Sequence, residues 1–272
     1  MFEDFLNSFA KSFEGKNPLI SQVLANVFSM RVFGNKTHGD LAEIALTEYI
    51  NEYVDGYSAK HTGKETFRAK VNEEDIRVIN DKTKKSLPIS IKTYGVGPLQ
   101  LSTNKASTMF NYLSEVVKDQ EIIDRNKIQE ILSYAPFAEF DQVNVLPLIY
   151  DEKEQKFKII LFNLDKAYKS VRIIKFLNPR KIGKKMTFPI YKFYEDNDQY
   201  IFEVRYGGAG ANALQRGMWT HTEHASPFFR ELLSDSYQIN EPLLNLMTKI
   251  LVAPKIKHEL LLKEFSQIKD PT

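Results

Sequence analysis

A chain of 272 residues and 31.5 kDa, 43% hydrophobic and 26% charged, can bury a substantial core, which excludes disorder as its main state. No stretch approaches the roughly eighteen apolar residues of a membrane span, and the amino terminus lacks a secretory signal pattern, so we expect a cytoplasmic protein that does not bind membranes. The absence of cysteine excludes disulfides, thiolate metal sites and a cysteine nucleophile, so any metal ligand must be oxygen or imidazole.

The net charge of +2 conceals an uneven distribution along the chain. Residues 153–192 hold twelve Lys and Arg residues against Glu154 and Asp165, which gives this stretch a charge of +10 and leaves −8 for the remainder. A high local density of cations binds phosphate polyanions, so this stretch is a candidate nucleic-acid surface. The alternative is a pair of solvated strands whose lysines discourage aggregation at a sheet edge.

The first third of the chain begins with helices and then changes to strands. In order, the pattern predicts helical segments over residues 1–35, a capped helix that runs to about Val54, a polar loop at 58–65, and strands at 66–71, 75–79 and 87–94. Thr37 or Asp40 is the candidate cap of the second helix. The polar run 80–85 supplies the turn between the last two strands, which predicts a β-hairpin packed beside helices.

The remaining two thirds repeat this alternation. The predicted elements are helices at 105–118 and 126–134, strands at 143–150, 156–162, 169–176, 188–193 and 199–204, and helices at 226–234, 241–250 and 255–267. This order favours an α/β (α+β) fold in a single domain.

The predicted strand at 87–94 carries a lysine in an apolar setting. Alternation places Ser90, Lys92 and Tyr94 on the face opposite the strand's isoleucines. Asp75 opens the preceding strand, and the hairpin can bring its carboxylate beside Lys92. A carboxylate and an ammonium group on neighbouring strands can hold a divalent ion and the phosphate that it polarises. The alternative is an edge lysine that extends into solvent.

The capped helix offers a second carboxylate. Glu43 falls between Ile50 and Val54 on the helical wheel and borders the buried face, whereas Glu48 and Glu52 point to water. An acid against the protein interior needs a metal, a lysine or a backbone donor as its partner. A structural ion pair is the alternative to a catalytic role.

The segments Asp75-Ile76-Arg77-Val78 and Pro88-Ile89-Ser90-Ile91-Lys92-Thr93-Tyr94-Gly95, with the polar turn between them, resemble the catalytic hairpin of the PD-(D/E)XK nuclease superfamily. Gly39-Asp40-Leu41-Ala42-Glu43 resembles the glutamate-bearing helix that often precedes that hairpin, and residues 94–103 are similar to a segment of bacterial type II restriction endonucleases. Two positions depart from the pattern: Glu74 stands in place of the proline, and Ser90 in place of the second acidic residue.

The resemblance implies a restriction-endonuclease-like fold, a mixed central β-sheet flanked by helices. It implies a single nuclease domain over 1–272, with a catalytic core at about 37–150 and a DNA-recognition region at about 151–225. The implied catalytic set, in which Glu43 is the candidate for the missing carboxylate, consists of Asp75, Ser90, Lys92 and Glu43. Asp75, Glu43 and the backbone carbonyl of Ile91 would hold Mg²⁺, Lys92 would orient the attacking water, and the products would carry 5′-phosphates.

Two polar segments carry side chains suited to base edges. One is the run 100–105 after the catalytic strand, and the other is the glycine-rich segment 205–221, which contains the only tryptophan. The candidate DNA-binding residues are Tyr94, Gln100, Ser102, Thr103, Asn104, Lys105, Arg205, Asn212, Gln215, Arg216, Thr220 and His221. The alternatives are capping of the next helix for the first segment and a glycine-rich turn into a short helix for the second.

The sequence therefore favours a type II site-specific deoxyribonuclease that hydrolyses double-stranded DNA with Mg²⁺. Cutting both strands of a palindrome is most simply done by a homodimer, and a cognate DNA methyltransferase is expected in the same system. Two alternatives stay open: a structure-specific repair or junction-resolving nuclease of the same fold, and a sequence-specific DNA-binding protein without catalytic activity.

Overall fold

Two β-sheets and the helices packed against them form a mixed α/β structure. The computed structural model describes residues 1–14, 17–34, 37–62, 74–103, 107–118, 121–141, 143–177, 181–182, 185–186, 188–206, 216–254, 257, 259–260 and 263. The α-helices are α1 (Phe2–Phe13), α2 (Asn17–Ser29), α3 (Thr37–Tyr53), α4 (Met109–Val117), α5 (Arg125–Ser133), α6 (Ala135–Asp141), α7 (Leu164–Ser170) and α8 (Glu241–Val252). Within the described ranges, no helix combines the length and the apolar character needed to cross a bilayer.

The strands follow the same chain order. They are β1 (Tyr57–His61), β2 (Ile76–Asn80), β3 (Ser86–Tyr94), β4 (Leu99–Ser102), β5 (Asn144–Asp151), β6 (Lys156–Phe162), β7 (Ile173–Leu177), β8 (Lys181–Ile182), β9 (Lys185–Met186), β10 (Ile190–Tyr194), β11 (Tyr200–Tyr206), β12 (Arg216–Thr220) and β13 (Phe229–Ser236). Strands β8 and β9 form a separate short hairpin.

The larger sheet has six strands in the order β1-β2-β3-β5-β6-β13. Its neighbours are antiparallel except for β3 and β5, which run parallel, so the sheet is mixed. Pairing of β2 with β3 ends at Ile76 opposite Ile89, whereas β3 stays paired with β5 as far as Tyr94. The second half of β3 therefore runs beyond the end of β2.

The smaller sheet has five antiparallel strands in the order β4-β12-β11-β10-β7. Residues 95–98 carry the chain directly from β3 in the larger sheet to β4 at the edge of the smaller one. The two sheets do not divide the chain at residue 150, because β4 precedes that position while β6 and β13 follow it.

Two apolar clusters lie on opposite faces of the larger sheet. Helices α1, α2 and α3 cover one face and supply buried residues such as Phe9, Leu24 and Leu46 to the first cluster. The second cluster joins α4 to α7 with the inner face of the smaller sheet. Strand β5 alternates between them, because Val145 belongs to the second cluster and Leu146 to the first.

Several elements differ from the sequence-based predictions. Strands β1, β4 and β12 occupy segments expected to be polar loops or a turn, and the predicted strand at 66–71 lies outside the described residues. The predicted strand at 169–176 is α7 followed by β7. The predicted helix at 226–234 is mostly β13, where a register shift between Glu231 and Leu233 allows two successive leucines to pack against the core. Such a bulge imitates the apolar spacing of a helix in the sequence.

Candidate active site

The candidate site lies where β3 continues beyond the end of β2. The backbone of Asp75 is fixed on both sides, because Thr62 N–H donates to Asp75 O at 3.0 Å and Asp75 N–H donates to Ile89 O at 2.9 Å. Ile76 lies opposite Ile89, so Asp75 lies next to Ser90 across the hairpin. Residues opposite each other in an antiparallel pair project to the same face, which directs the Asp75 carboxylate to the face of Ser90 and Lys92.

The Asp75 carboxylate is buried and held by three neighbours. Asp75 is 2% exposed, and its Oδ2 accepts hydrogen bonds from Ser90 Oγ at 2.9 Å and from Ile91 N–H at 2.8 Å. Lys92 Nζ lies 3.8 Å from the same oxygen, and its side chain is 24% exposed. Hydrogen bonds and a cation offset the cost of burying a carboxylate. The ammonium group and the carboxylate thus converge from neighbouring strands.

Ser90 supplies a neutral donor at a position where the resembled pattern has an acid. Its side chain is buried and its hydroxyl is engaged by Asp75, so this face of the hairpin carries one carboxylate and no like-charge pair at residues 75 and 90. The N–H and C=O of one strand residue point to the same edge. Because Ile91 N–H points to Asp75, the Ile91 carbonyl also projects from this edge of β3, beyond the last residue pair that β3 forms with β2.

Glu43 lies on α3 and pairs with a histidine for which the sequence analysis gave no role. Glu43 Oε2 is 2.8 Å from His61 Nε2, and both side chains are largely buried. His61 ends β1 and directly precedes Thr62, whose backbone holds Asp75. The structure thus gives Glu43 a hydrogen-bond partner one residue from the Asp75 contacts. Its part in metal binding stays a prediction.

The oxygen donors at this strand end are suited to a hard cation. Within the described ranges, no group of three or more His, Cys, Asp or Glu side chains is arranged to hold a metal. Magnesium in proteins is commonly bound through one or two carboxylates, with water and substrate phosphates as the other ligands. The Asp75 carboxylate and the Ile91 carbonyl fit such a site when a phosphate completes it.

Tyr94, a candidate DNA-binding residue, joins the two sheets. Its hydroxyl lies 3.0 Å from Thr222 Oγ1, which follows β12, and burial raises the pKa of this phenol to about 12. The tyrosine stays neutral at physiological pH. Its hydroxyl is directed at the other sheet and not at solvent, so the structure gives Tyr94 a connecting position between β3 and the end of β12.

A second charged group lies on the outer face of the smaller sheet, the face opposite the second cluster. Glu203 of β11 is fully buried, and it pairs with Arg205 Nη2 and with Lys192 Nζ, the latter at 3.8 Å. The Arg205 guanidinium lies over the Trp219 ring at 4.5 Å from its centroid. His221 Nε2 is 3.9 Å from Glu203 Oε1. Glu203 was not among the predicted site residues, although an acid between Phe202 and Val204 in an apolar strand was a signal.

The other DNA-binding candidates are placed unequally. Gln100, Ser102 and Thr103 are half-buried at the smaller sheet's edge. Thr220 is buried and its hydroxyl donates to Ile201 O at 2.6 Å, so this side chain faces the interior and not a DNA surface. The candidates Asn104, Lys105, Asn212 and Gln215, and the side chain of Arg216, lie outside the described residues.

The basic stretch 153–192 is divided among elements of both sheets. Its lysines are spread over β6 and α7 and over β7 and β10 of the smaller sheet. Five of them pair with carboxylates at 2.5 to 3.8 Å: Lys156 with Glu154, Lys158 with Glu231, Lys169 with Asp165, Lys175 with Asp198, and Lys192 with Glu203. Three of these carboxylates, Glu231, Asp198 and Glu203, come from outside the stretch, whereas Glu154 and Asp165 are already counted in its charge of +10.

Comparisons of this chain with protein-family models, with characterised proteins and with solved structures found no match.

Proposed function

We propose that this protein is a Mg²⁺-dependent, site-specific deoxyribonuclease of the type II restriction kind, which hydrolyses phosphodiester bonds in double-stranded DNA. One observation carries the proposal: Lys92 Nζ and Asp75 Oδ2 lie 3.8 Å apart where β3 extends beyond β2. A mixed sheet flanked by helices is compatible with a restriction-endonuclease-like fold.

Each group at the strand end has a role in this proposal. Asp75 and the Ile91 carbonyl would hold Mg²⁺, and Glu43 would add the second carboxylate. When bound, the ion polarises the phosphate and makes a bound water more acidic. Lys92 donates to a phosphate oxygen and orients the attacking water. Ser90 fixes the Asp75 carboxylate through its hydrogen bond.

The surroundings of Lys92 favour stabilisation of the transition state. Its ammonium group is held beside a buried carboxylate and its side chain is mostly shielded from solvent. A positioned cation in a site of low dielectric interacts strongly with negative charge that develops on a phosphate. Loss of this group should therefore slow cleavage more than it weakens DNA binding.

The partners follow from the reaction. A single site cuts a single strand, so we propose that two copies of the chain act as a homodimer on a palindrome in the cytoplasm. A cognate DNA methyltransferase would protect the cell's own DNA from such an enzyme.

Incubation of the purified protein with plasmid DNA and Mg²⁺ tests the proposal. We expect discrete fragments with 5′-phosphate ends. Lys92→Ala and Asp75→Asn should slow cleavage by about 10²-fold or more, as for loss of a positioned electrostatic group, while DNA binding persists. Lys158→Ala is the matched control, because Lys158 also pairs with a carboxylate but lies on β6. It should cleave like the wild type.

The same experiment separates the remaining alternatives. Cleavage without sequence preference would favour a repair or junction-resolving nuclease of the same fold. Sequence-specific binding with an intact plasmid across a range of divalent metals would favour a DNA-binding protein without catalysis. Either result would overturn the restriction-enzyme proposal.

A further inference from the structure

The group formed by Glu203, Arg205 and Trp219 has features that a surface ion pair does not need. Glu203 is 0% exposed, although the Arg205 side chain that it holds is 32% exposed. Burying a carboxylate is costly, and an exposed arginine needs no such partner to remain charged. A buried carboxylate beneath a partly exposed guanidinium therefore indicates that the orientation of the guanidinium matters.

Two contacts restrain the Arg205 head group. The Trp219 ring, whose centroid is 4.5 Å from the guanidinium carbon, holds the head group through cation–π attraction, and Glu203 pairs with Nη2. Arg205 Nε is buried, which leaves the Nη1–Nη2 end as the donor edge. A planar fork fixed in this way loses little conformational entropy when it binds a planar partner.

The neighbouring side chains extend the same face. The register places Gln100 opposite Trp219, and Trp219 opposite Glu203. Lys192 lies opposite Glu203 on the other side. A cation, an amide and an aromatic ring thus lie side by side across four strands. This combination suits DNA, in which phosphates attract Lys and base edges accept from Arg and Gln.

We propose that the outer face of the smaller sheet reads DNA sequence, with Arg205 as the residue that recognises guanine and Glu203 as its positioning residue. The O6 and N7 atoms of guanine accept two hydrogen bonds from the end of an arginine fork, whereas a phosphate can be held by a mobile cation of any geometry. This inference deepens the proposed function and rests on DNA being the substrate.

Selection from a pool of randomised DNA duplexes, carried out in EDTA so that nothing is cut, tests the inference. The wild type should enrich a motif that contains guanine. Arg205→Lys keeps the charge but loses the fork, so it should lose discrimination at one guanine position by about tenfold to a hundredfold while affinity for the unselected pool changes little. Glu203→Gln should show the same loss, because it releases the fork. Selection of the same motif with undiminished discrimination by both variants would overturn the inference.

Trp219 gives an independent readout, because it is the only tryptophan of the chain. DNA titrated into the wild type should change Trp219 fluorescence over the same concentration range as it changes the anisotropy of labelled DNA. Binding without a Trp219 response, or no binding at all, would contradict the inference. Arg230→Lys is the matched control. Arg230 also pairs with a glutamate, Glu3, but it lies on β13 of the larger sheet. This variant should leave the motif unchanged.

Failure of this inference can be told apart from failure of the nuclease proposal. If the protein selects a guanine-containing motif but leaves plasmid intact, the DNA-reading surface is supported and the nuclease proposal is refuted. If the wild type cuts a single sequence and the Arg205→Lys variant cuts the same sequence with equal preference, the nuclease proposal is supported and the DNA-reading surface is refuted.

Discussion

Ser90 determines how much negative charge the hairpin carries. Its buried hydroxyl donates to Asp75 Oδ2, so the carboxylate is stabilised by a neutral group. An acid at position 90, as in the resembled pattern, would put two carboxylates side by side. Like charges at such close range disfavour ionisation of both unless a cation joins them.

The variant Ser90→Asp should therefore couple folding stability to Mg²⁺. We expect it to be less stable than the wild type in EDTA, by about 2 kcal/mol or more, which lowers the melting temperature by several degrees. Added Mg²⁺ should restore part of this loss, and thermal melts with and without the ion measure it. Ser90→Ala, which only removes a hydrogen bond, should lose about 1–3 kcal/mol under both conditions. A melting temperature of Ser90→Asp that is the same with and without Mg²⁺ would argue against a metal site here.

His221 should make stability depend on pH. Burial lowers its pKa below the ordinary 6.5, and Arg205, His224 and Lys192 add to this lowering while Glu203 opposes it. The unfolded chain takes up a proton near pH 6.5 before the folded chain does. Stability from this group is therefore complete above that pH and is lost as the pH falls through the lower folded pKa.

Proton NMR of the His221 ring should give the lowered pKa directly, and urea unfolding at about pH 7.5 and about pH 5.5 should show the loss of stability. His221→Gln should have a weaker dependence on pH over this range. A ring pKa at or above 6.5 in the folded protein would refute the burial argument.

Among the elements, local pairing was predictable and distant pairing was not. The β2–β3 hairpin has a polar turn between two apolar strands, and this local signal brings residues 75 and 92 together. Strands β4 and β12 are four and five residues long and mix polar with apolar side chains. They pair with each other across more than a hundred residues of chain, so neither segment by itself identifies its partner.

The two charged sites differ in the same way. Asp75 and Lys92 could be predicted as neighbours because one turn fixes their register. The group around Glu203 could be predicted only in part, because Arg205 lies two residues away on the same strand, whereas Lys192 and His221 reach the carboxylate through the pairing of β11 with β10 and β12. His61 was missed for a similar reason, since its partner Glu43 lies on a helix packed against the sheet.

The pairing of β4 with β12 depends on a glycine. Gly217 has φ of +133°, and a Cβ atom there would lie 2.0 Å from the backbone oxygen of Leu101. We expect Gly217→Ala to cost about 2 kcal/mol or more, through strain and through loss of pairing, and to reduce hydrogen-exchange protection in β4. Gly39→Ala is the control of opposite sign, because a Cβ there has open space on α3. It should stabilise the protein by roughly 0.5–1 kcal/mol.

For the whole molecule, the two apolar clusters should unfold together. Strands β5 and β6 each contribute to both clusters, with Val145 and Phe162 in the second cluster and most of their other buried residues in the first, so unfolding of these strands would expose both clusters. Leu46→Ala in the first cluster and Leu113→Ala in the second should each cost about 2–5 kcal/mol. Calorimetry and Trp219 fluorescence should give one transition in both variants. Two separate transitions, with one shifted by each variant, would show that the clusters fold independently.

Residues 86–102 form a continuous ribbon that belongs to both sheets, with only four residues between the end of β3 and the start of β4. So short a connection transmits a displacement of β4 to β3. The hydrogen bond between Tyr94 and Thr222 links β3 to the smaller sheet as well. In the proposed enzyme, binding of the correct DNA sequence at β4 should therefore be coupled to the positioning of the attacking water at β3. Exchanging β4 side chains to redirect specificity should then alter the rate of strand scission as well.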